Sequence, residues 1–98
     1  MGVRIEFEAK VYRWDARTES WFFLDVPADI SSDLRELPAP PRGFGSLRVE
    51  ARIGGTTWRT SIFPGRETYA LPLKRAVRDA ERLAEGEAAT VHLHVLEL

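Results

Sequence analysis

The sequence contains no cysteine, one methionine and only two histidines among its 98 residues. The lack of cysteine excludes disulfide bonds, thiol nucleophiles and cysteine-ligated metal centres, and it agrees with a reducing compartment. Long apolar runs are also missing. The first residues alternate apolar and charged side chains, which is typical of neither a signal peptide nor a membrane-spanning helix. We therefore predict a cytoplasmic protein without membrane contact.

The two histidines are the main residues left with metal-binding chemistry. His92 and His94 are two positions apart in a predicted strand, so they share a face at a spacing of about 7 Å. Two ligands specify little, and only Glu97 and other carboxylates could complete a coordination sphere. The favoured interpretation is two polar positions on the outer side of a strand, with no metal and no cofactor.

Charge is unevenly distributed, although the net charge is only -1. Between Arg42 and Arg78 there are eight basic and two acidic residues, so this section carries +6. Such segregation can form a basic surface that binds nucleic acid or another anion. We favour the alternative that the acidic ends pair with the basic middle across strands.

Alternating apolar and polar residues predict most of the strands, at residues 3–12, 47–53, 56–63 and 90–96. In the third of these, Trp58 and Ile62 are expected on one face and Arg59 and Ser61 on the other. Residues 21–26 are apolar on both faces, which favours a central strand or one under a helix. Residues 69–71 predict a short strand. Residues 14–19 are predicted to connect the first two strands, and Gly54-Gly55 to form a tight hairpin turn.

Two helices are predicted from apolar periodicity and capping residues. The first covers residues 29–37, with Ser31 or Ser32 as its N-cap. The second starts at Pro72 and ends before Gly86. Its predicted apolar stripe comprises Leu73, Val77, Ala80 and Ala84, widened by Ala76 and Leu83. Residues 38–45 are rich in proline and glycine and predict a loop.

The predicted order is strand, strand, helix, three strands, helix, strand, within one domain spanning residues 1–98. Val26-Pro27 and Leu71-Pro72 each lead into a helix, a glycine-containing loop and a strand. This similarity predicts two copies of one unit that interleave around a shared core.

Polar side chains with chemical potential concentrate between residues 53 and 78. Trp58 can supply an aromatic floor for a small pocket, with polar or charged groups around it. The candidate ligand-binding residues are Trp58, Arg59, Ser61, Tyr69, Lys74 and Arg78. Lys74 and Arg78 are one helical turn apart and could clamp an anion, although a solvated helix face is favoured. No catalytic motif is present, since Ser61 lies mid-strand without a nucleophile elbow.

Several segments resemble the bacterial and archaeal family called domain of unknown function 1905. The similarity runs through Trp21-Phe22-Phe23-Leu24, Gly43-Phe44-Gly45-Ser46-Leu47-Arg48-Val49 and Ile53-Gly54-Gly55-Thr56-Thr57-Trp58-Arg59-Thr60-Ser61-Ile62-Phe63-Pro64. It continues in Tyr69-Ala70-Leu71-Pro72-Leu73-Lys74, Val77-Arg78 and the final strand. The resemblance implies a mainly β fold with two short helices, in the order ββα-βββαβ. Its form would be a closed double-split (swapped-hairpin) β-barrel similar to the AbrB and MazE proteins.

The resemblance brings no activity, substrate or cofactor, so three functional classes are kept. The favoured class is a non-catalytic binding or interaction module, for a protein partner or a small anionic ligand, as a monomer or homodimer. The second is AbrB-like nucleic-acid binding through residues 42–78, which the net charge disfavours. The third is an enzyme or anion binder that uses Trp58, Ser61 and Lys74, and it requires Ser61 and Lys74 to share a pocket.

Overall fold

A computed structural model of the chain describes residues 3–16, 19–37 and 45–96. Within these ranges the chain forms seven strands and two helices, so the predicted mainly β class is confirmed. The strands are β1 (Val3–Lys10), β2 (Tyr12–Ala16), β3 (Glu19–Asp25), β4 (Leu47–Ile53), β5 (Thr56–Pro64), β6 (Tyr69–Pro72) and β7 (Ala88–Val95). The helices are α1 (Ala28–Arg35) and α2 (Arg75–Glu81). No helix in the described part is long and apolar enough to cross a bilayer.

The strands form one curled antiparallel sheet in the order β1-β7-β4-β5-β6-β3-β2. Strands β1 and β2 lie at opposite ends of this order, yet Val11 alone connects them. A flat sheet cannot satisfy both conditions, so the sheet bends into a half-barrel. Strand β5 forms the opposite corner, because it pairs with β4 over residues 56–62 and with β6 at Phe63 and Pro64.

The pairing follows the predicted internal repeat. One unit is the continuous segment β1–β2 followed by β3, α1 and β4, and the other is β5 followed by β6, α2 and β7. The corresponding strands β3 and β6 pair with each other, as do β4 and β7. The segment β1–β2 pairs through β1 with β7, the last strand of the other unit, and through β2 with β3 of its own unit. Likewise, β5 pairs first with β4, the last strand of the other unit, and then with β6 of its own. The two units therefore interleave.

The core is lined by the strand positions that alternation predicts to face inward. Leu47, Val49, Ala51 and Ile53 of β4 are all buried, and so are Val91, Leu93 and Val95 of β7. Their neighbours on the opposite face are charged or polar, including His92 and His94. This alternation removes the apolar side chains from water while the charged side chains remain solvated.

The predicted first strand, residues 3–12, is divided at Val11 into β1 and β2, so three strands and not the predicted two precede α1, and β2 extends to Ala16. Trp14 and Asp15 belong to β2, and Glu19 belongs to β3, so the prediction that residues 14–19 form a connection is wrong. Trp14 instead pairs with Trp21 in the hairpin ladder. Residues 17 and 18 lie outside the described ranges. So do residues 38–44, where most of the predicted proline-rich loop falls.

Helix α1 begins one residue earlier than predicted, with Pro27 as its N-cap, so the predicted Ser31 or Ser32 cap is wrong. Ser31 is fully buried, and its hydroxyl donates to the Val26 carbonyl at 3.0 Å. The same oxygen accepts the backbone N–H of Tyr69 at 3.0 Å. The Ser31 hydroxyl therefore bonds to the backbone of Val26 and Tyr69 and does not cap the helix, although serine is a common N-cap residue.

Helix α2 is half the predicted length. Pro72 lies in β6 opposite Phe23, and the Leu73 N–H donates to the Phe22 carbonyl at 2.8 Å, so sheet pairing continues where helix was predicted. The helix ends at Arg82, whose φ of 54° is left-handed, rather than at Gly86. Leu73 and Val77 are buried as predicted, but Ala76, Ala80 and Ala84 are exposed.

Candidate functional site

A small pocket opens where strands β5 and β6 diverge. The two strands pair at Phe63 and Pro64 of β5, so the part of β5 before Phe63 is not paired with β6, and the chain after Pro72 turns into α2, which packs against β5. The resulting gap has a volume of about 170 Å³. It is lined by Trp21 and Phe22 of β3, Trp58, Arg59 and Thr60 of β5, and Pro72, Leu73 and Lys74 after β6.

Three of the six predicted site residues lie on this pocket: Trp58, Arg59 and Lys74. The Trp58 side chain is 8% exposed and contributes to both the core and the pocket wall. Arg59 and Lys74 are exposed, and the Arg59 Nε lies 3.7 Å from the Glu50 carboxylate on the outer face of the sheet. The pocket therefore combines aromatic walls with two cationic side chains.

Arg78 reaches the pocket indirectly. Its guanidinium carbon lies 3.8 Å from the centre of the Phe22 ring, and Phe22 lines the pocket. Its Nε donates to the Leu73 carbonyl at 3.2 Å. The contact between the Arg78 guanidinium and the Phe22 ring is a cation–π stack, and it restricts the movement of the ring. The favoured sequence interpretation, a solvated helix face, is therefore wrong at Arg78.

Glu81 on the same helix is also engaged. The Thr56 hydroxyl donates to its carboxylate at 2.5 Å, at the start of β5. Together, Arg78 and Glu81 fix α2 against β3 and β5. Because Lys74 directly precedes α2, these contacts also fix the position of the Lys74 backbone.

Ser61 and Tyr69 do not line the pocket. Ser61 shares the outer face of β5 with Arg59 and lies opposite Arg48 of β4. Tyr69 is buried, with the Arg35 guanidinium 5.7 Å from its ring centre. Ser61 and Lys74 thus do not open into a common pocket, which was the geometric requirement for the enzyme alternative.

A larger groove of about 350 Å³ lies on the outer face of β1, β7 and β4. Two cross-strand rows line it, Arg4–His94–Glu50 and Glu6–His92–Arg52. Each row has an arginine at one end and a glutamate at the other, and His92 Nδ1 lies 3.4 Å from the Glu6 carboxylate. In the described ranges, no group of three or more histidine or acidic side chains is arranged to hold a metal ion.

Part of the basic section is neutralised by nearby carboxylates. Arg48, Arg52 and Arg59 are on the outer face of β4 and β5, and Lys74 and Arg75 are at the start of α2. Arg59 is near Glu50, and Arg75 Nε lies 3.6 Å from Asp79. Arg42 lies outside the described residues. This distribution weakens the argument for nucleic-acid binding through residues 42–78.

Sequence reasoning missed the part of the site that comes from β3. Trp21 was assigned to a strand that is central or under a helix. Strand β3 is indeed internal to the sheet order, but Trp21 is 47% exposed. The available signal was the cross-strand aromatic pattern, with Tyr12 and Trp14 at alternate positions of one strand and Trp21 and Phe23 at alternate positions of the next.

Comparisons with known proteins give a family without an activity. A family model described as "Domain of unknown function (DUF1905)" matches residues 7–93, which is nearly the whole chain. No curated protein matches the sequence significantly. The resemblance found from the residues is thereby confirmed, and the function has to be argued from the site itself.

Proposed function

We propose that this chain, which belongs to the DUF1905 family, is a non-catalytic binding module for small anionic ligands with one ring-sized apolar group. The observation that carries the proposal is the pocket at the β5–β6 divergence, with aromatic walls and a cationic rim. Trp21, Phe22 and Trp58 supply flat apolar surface, and Arg59 and Lys74 supply positive charge beside it. The apolar ring of such a ligand would pack against the aromatic side chains, and its anionic group would lie beside the cationic ones.

The pocket volume supports a ligand of about one ring. An apolar cavity of roughly 150 Å³ can hold benzene, and drug-sized ligands need about 300 Å³ or more. The volume here, about 170 Å³, is close to the first value. The ring would pack against Trp58 and Phe22, and its anionic substituent would point toward Lys74. The contact of Arg78 with the Phe22 ring favours binding, because this wall loses little side-chain freedom on association.

The composition of the pocket favours binding over catalysis. Its lining includes one hydroxyl, on Thr60, and one amine, on Lys74, but neither a histidine nor a carboxylate. Proton transfer in most enzymes uses such a group within hydrogen-bond reach of the reacting atom. Recognition of charge and shape requires only the residues that are present.

Titration with benzoate and with its neutral analogue benzyl alcohol tests the proposal, using amide chemical shifts in two-dimensional NMR. We expect benzoate to shift the resonances of Trp21, Trp58 and Lys74 and to bind more tightly than benzyl alcohol. Lys74→Gln should remove this preference for the carboxylate, because it deletes the positive charge and keeps most of the side-chain volume.

Lys10→Gln is the matched control, because Lys10 is the other lysine of the sequence and is exposed on β1. It should bind benzoate as the wild type does. Equal loss in both variants would indicate non-specific charge attraction. Shifts confined to the His92–His94 groove, or no saturable shifts at all, would overturn the proposal.

We also propose the finer architecture, in which the half-barrel closes as an AbrB-like double-split barrel. The interleaved pairing of the two units supports it, as does the contact of β1 with β3. Extending the Tyr12–Phe23 register by two residues would bring Lys10 opposite Asp25. Cross-strand nuclear Overhauser effects between these two backbones test closure, and their absence would leave an open half-barrel.

The single-domain organisation over residues 1–98 and the cytoplasmic location remain predictions. The interleaved units support one cooperative domain, since neither unit can complete its strand pairing alone. One unfolding transition, seen equally by tryptophan fluorescence and far-ultraviolet circular dichroism, is expected. The absence of cysteine supports the location. Fractionation of cells that produce the protein tests it.

A further inference from the structure

The outer face of β2, β3 and β6 is aromatic and exposed. Tyr12, Trp14, Trp21 and Phe63 are the large apolar side chains most open to solvent in the described part. The first three lie on this face, and the end of β5 adds Phe63, which pairs with Ala70 of β6. Trp14 is 56% exposed and lies directly opposite Trp21, while Tyr12 stacks on Phe23 at 5.8 Å. A contiguous exposed apolar surface of this kind marks a site of contact with another molecule.

Strand β2 is also an edge strand of the sheet. Within the described ranges it pairs with β3 on one side only, so the other side presents unpaired backbone groups. Such an edge is a template for another strand. On the face opposite the aromatic side chains, β2 carries Arg13 and Asp15, which are exposed and 3.4 Å apart.

We propose that a second copy of this chain pairs with β2 edge to edge, antiparallel and centred on Trp14. This register brings Trp14 opposite Trp14 of the second copy and Arg13 opposite Asp15 of the second copy. The exposed tryptophans then form a row of four across the junction. On the other face, the four charged side chains alternate in sign.

The sequence of β2 favours this register over the others. Centring the pair on Arg13 or on Asp15 would bring two like charges directly opposite each other, which destabilises a sheet. Registers centred between two residues would put Trp14 opposite Arg13 or opposite Asp15, so the aromatic face would not continue across the junction. Only the Trp14 centre pairs opposite charges and keeps both faces continuous, as a two-fold symmetric interface requires.

Sedimentation velocity over a range of about 1 to 500 μM tests the proposal with charge reversals. We expect the wild type to change from monomer to dimer with concentration, as short edge-to-edge contacts bind weakly. Asp15→Arg and Arg13→Asp should each weaken dimerisation at least tenfold, because each places like charges opposite one another twice. The double variant Arg13→Asp with Asp15→Arg restores opposite charges and should recover the wild-type constant.

Asp33→Arg is the matched control, since it makes the same change of net charge as Asp15→Arg at an exposed position of α1. It should dimerise as the wild type does. Should a reversal variant fail to fold, Trp14→Thr replaces it, since threonine suits an exposed strand position and removes the central contact. A wild type that stays monomeric at 500 μM, equal effects of Asp15→Arg and Asp33→Arg, or no recovery in the double variant would each overturn the proposal.

Discussion

The side-chain oxygen of Ser31 lies 3.0 Å from the backbone nitrogen of Tyr69, although the two residues are 38 positions apart. The same hydroxyl donates to the Val26 carbonyl, and the Val26 N–H donates to the Tyr69 carbonyl at 2.9 Å. One serine of α1 thus connects the ends of β3 and β6, which are corresponding strands of the two repeated units.

Ser31→Ala should destabilise the protein by about 2 kcal/mol, because it leaves a buried N–H and a buried carbonyl without this partner. Urea denaturation followed by circular dichroism measures the change. Ser32→Ala is the control, at an exposed position of the same helix, and should change stability by less than about 0.5 kcal/mol. Equal effects of the two substitutions would mean that the hydrogen bonds of Ser31 contribute nothing beyond helix propensity.

Trp58→Ala should cost about 3 kcal/mol or more, since large-to-small substitution of a buried aromatic residue leaves a cavity. Trp58 is 8% exposed, in contrast to Trp14 at 56%. Trp14→Ala, measured at 1 μM protein to keep the chain monomeric, should therefore cost much less. A wild-type melting curve for Trp58→Ala would show that the residue is not part of the core.

Gly54→Ala should destabilise by about 1–2 kcal/mol from the left-handed backbone alone, and by more if Glu81 must move. Gly54 has a φ of +56°, and a Cβ there would overlap the Glu81 carboxylate. Gly86 also has positive φ, at +88°, but its Cβ would meet open space. Gly86→Ala is thus the matched control for backbone strain.

A double-mutant cycle separates the two contributions at Gly54. In a Glu81→Ala background, Gly54→Ala should cost about as much as Gly86→Ala, because only the backbone strain remains. Chemical denaturation of the four chains of the cycle measures this. An unchanged cost of Gly54→Ala in that background would show that the carboxylate moves away freely.

Stability should fall at alkaline pH through Tyr12. Partial burial of the phenol raises the pKa of Tyr12 well above its usual value near 10, and the hydrogen bond to Asp25 at 2.7 Å and the charge of that carboxylate raise it further. The folded state therefore favours the neutral phenol. This contribution is complete below the unfolded pKa and is lost as the pH rises from about 10 through the folded pKa.

Comparison of wild type and Tyr12→Phe by urea denaturation between pH 8 and 11 isolates that effect. The wild-type midpoint should decrease with pH more steeply than that of Tyr12→Phe, because the unfolded state releases the Tyr12 proton at a pH where the folded state still keeps it. Parallel curves for the two proteins would show that Tyr12 has the same pKa in both states.

Much of the fold could be predicted because apolar and polar side chains alternate along several strands. In β4 and β7 one buried apolar side chain in every two is enough to define strand, face and core, and Gly54-Gly55 marks the turn between β4 and β5. The repeated strand–Pro–helix pattern also predicted the interleaving. Three of the eight residues that line the pocket were also found, since Trp58, Arg59 and Lys74 follow from the polar and aromatic residues clustered in one stretch.

The rest depends on contacts between residues distant in the chain. Pro72 and Leu73 fit a helix start locally, yet pairing with Phe23 and Phe22 extends the sheet through them and delays α2 to Arg75. Ser31 fits a cap, yet hydrogen bonds with Val26 and Tyr69 use its hydroxyl. In both cases the tertiary hydrogen bonds satisfy buried backbone groups, and leaving such groups unpaired costs more than a local preference gains.

The sequence alone therefore determined the mainly β class, the inward and outward faces of the strands, and the family, because these depend on local periodicity and on motif residues. The tertiary structure decided which aromatic residues are exposed, that Arg78 stacks on Phe22, and that Lys74 shares a pocket with Trp58 but not with Ser61. The physical reason is the curl of the sheet, which brings β3, β5 and the residues after β6 together around the pocket. Alternation within one strand does not indicate which other strands lie beside it.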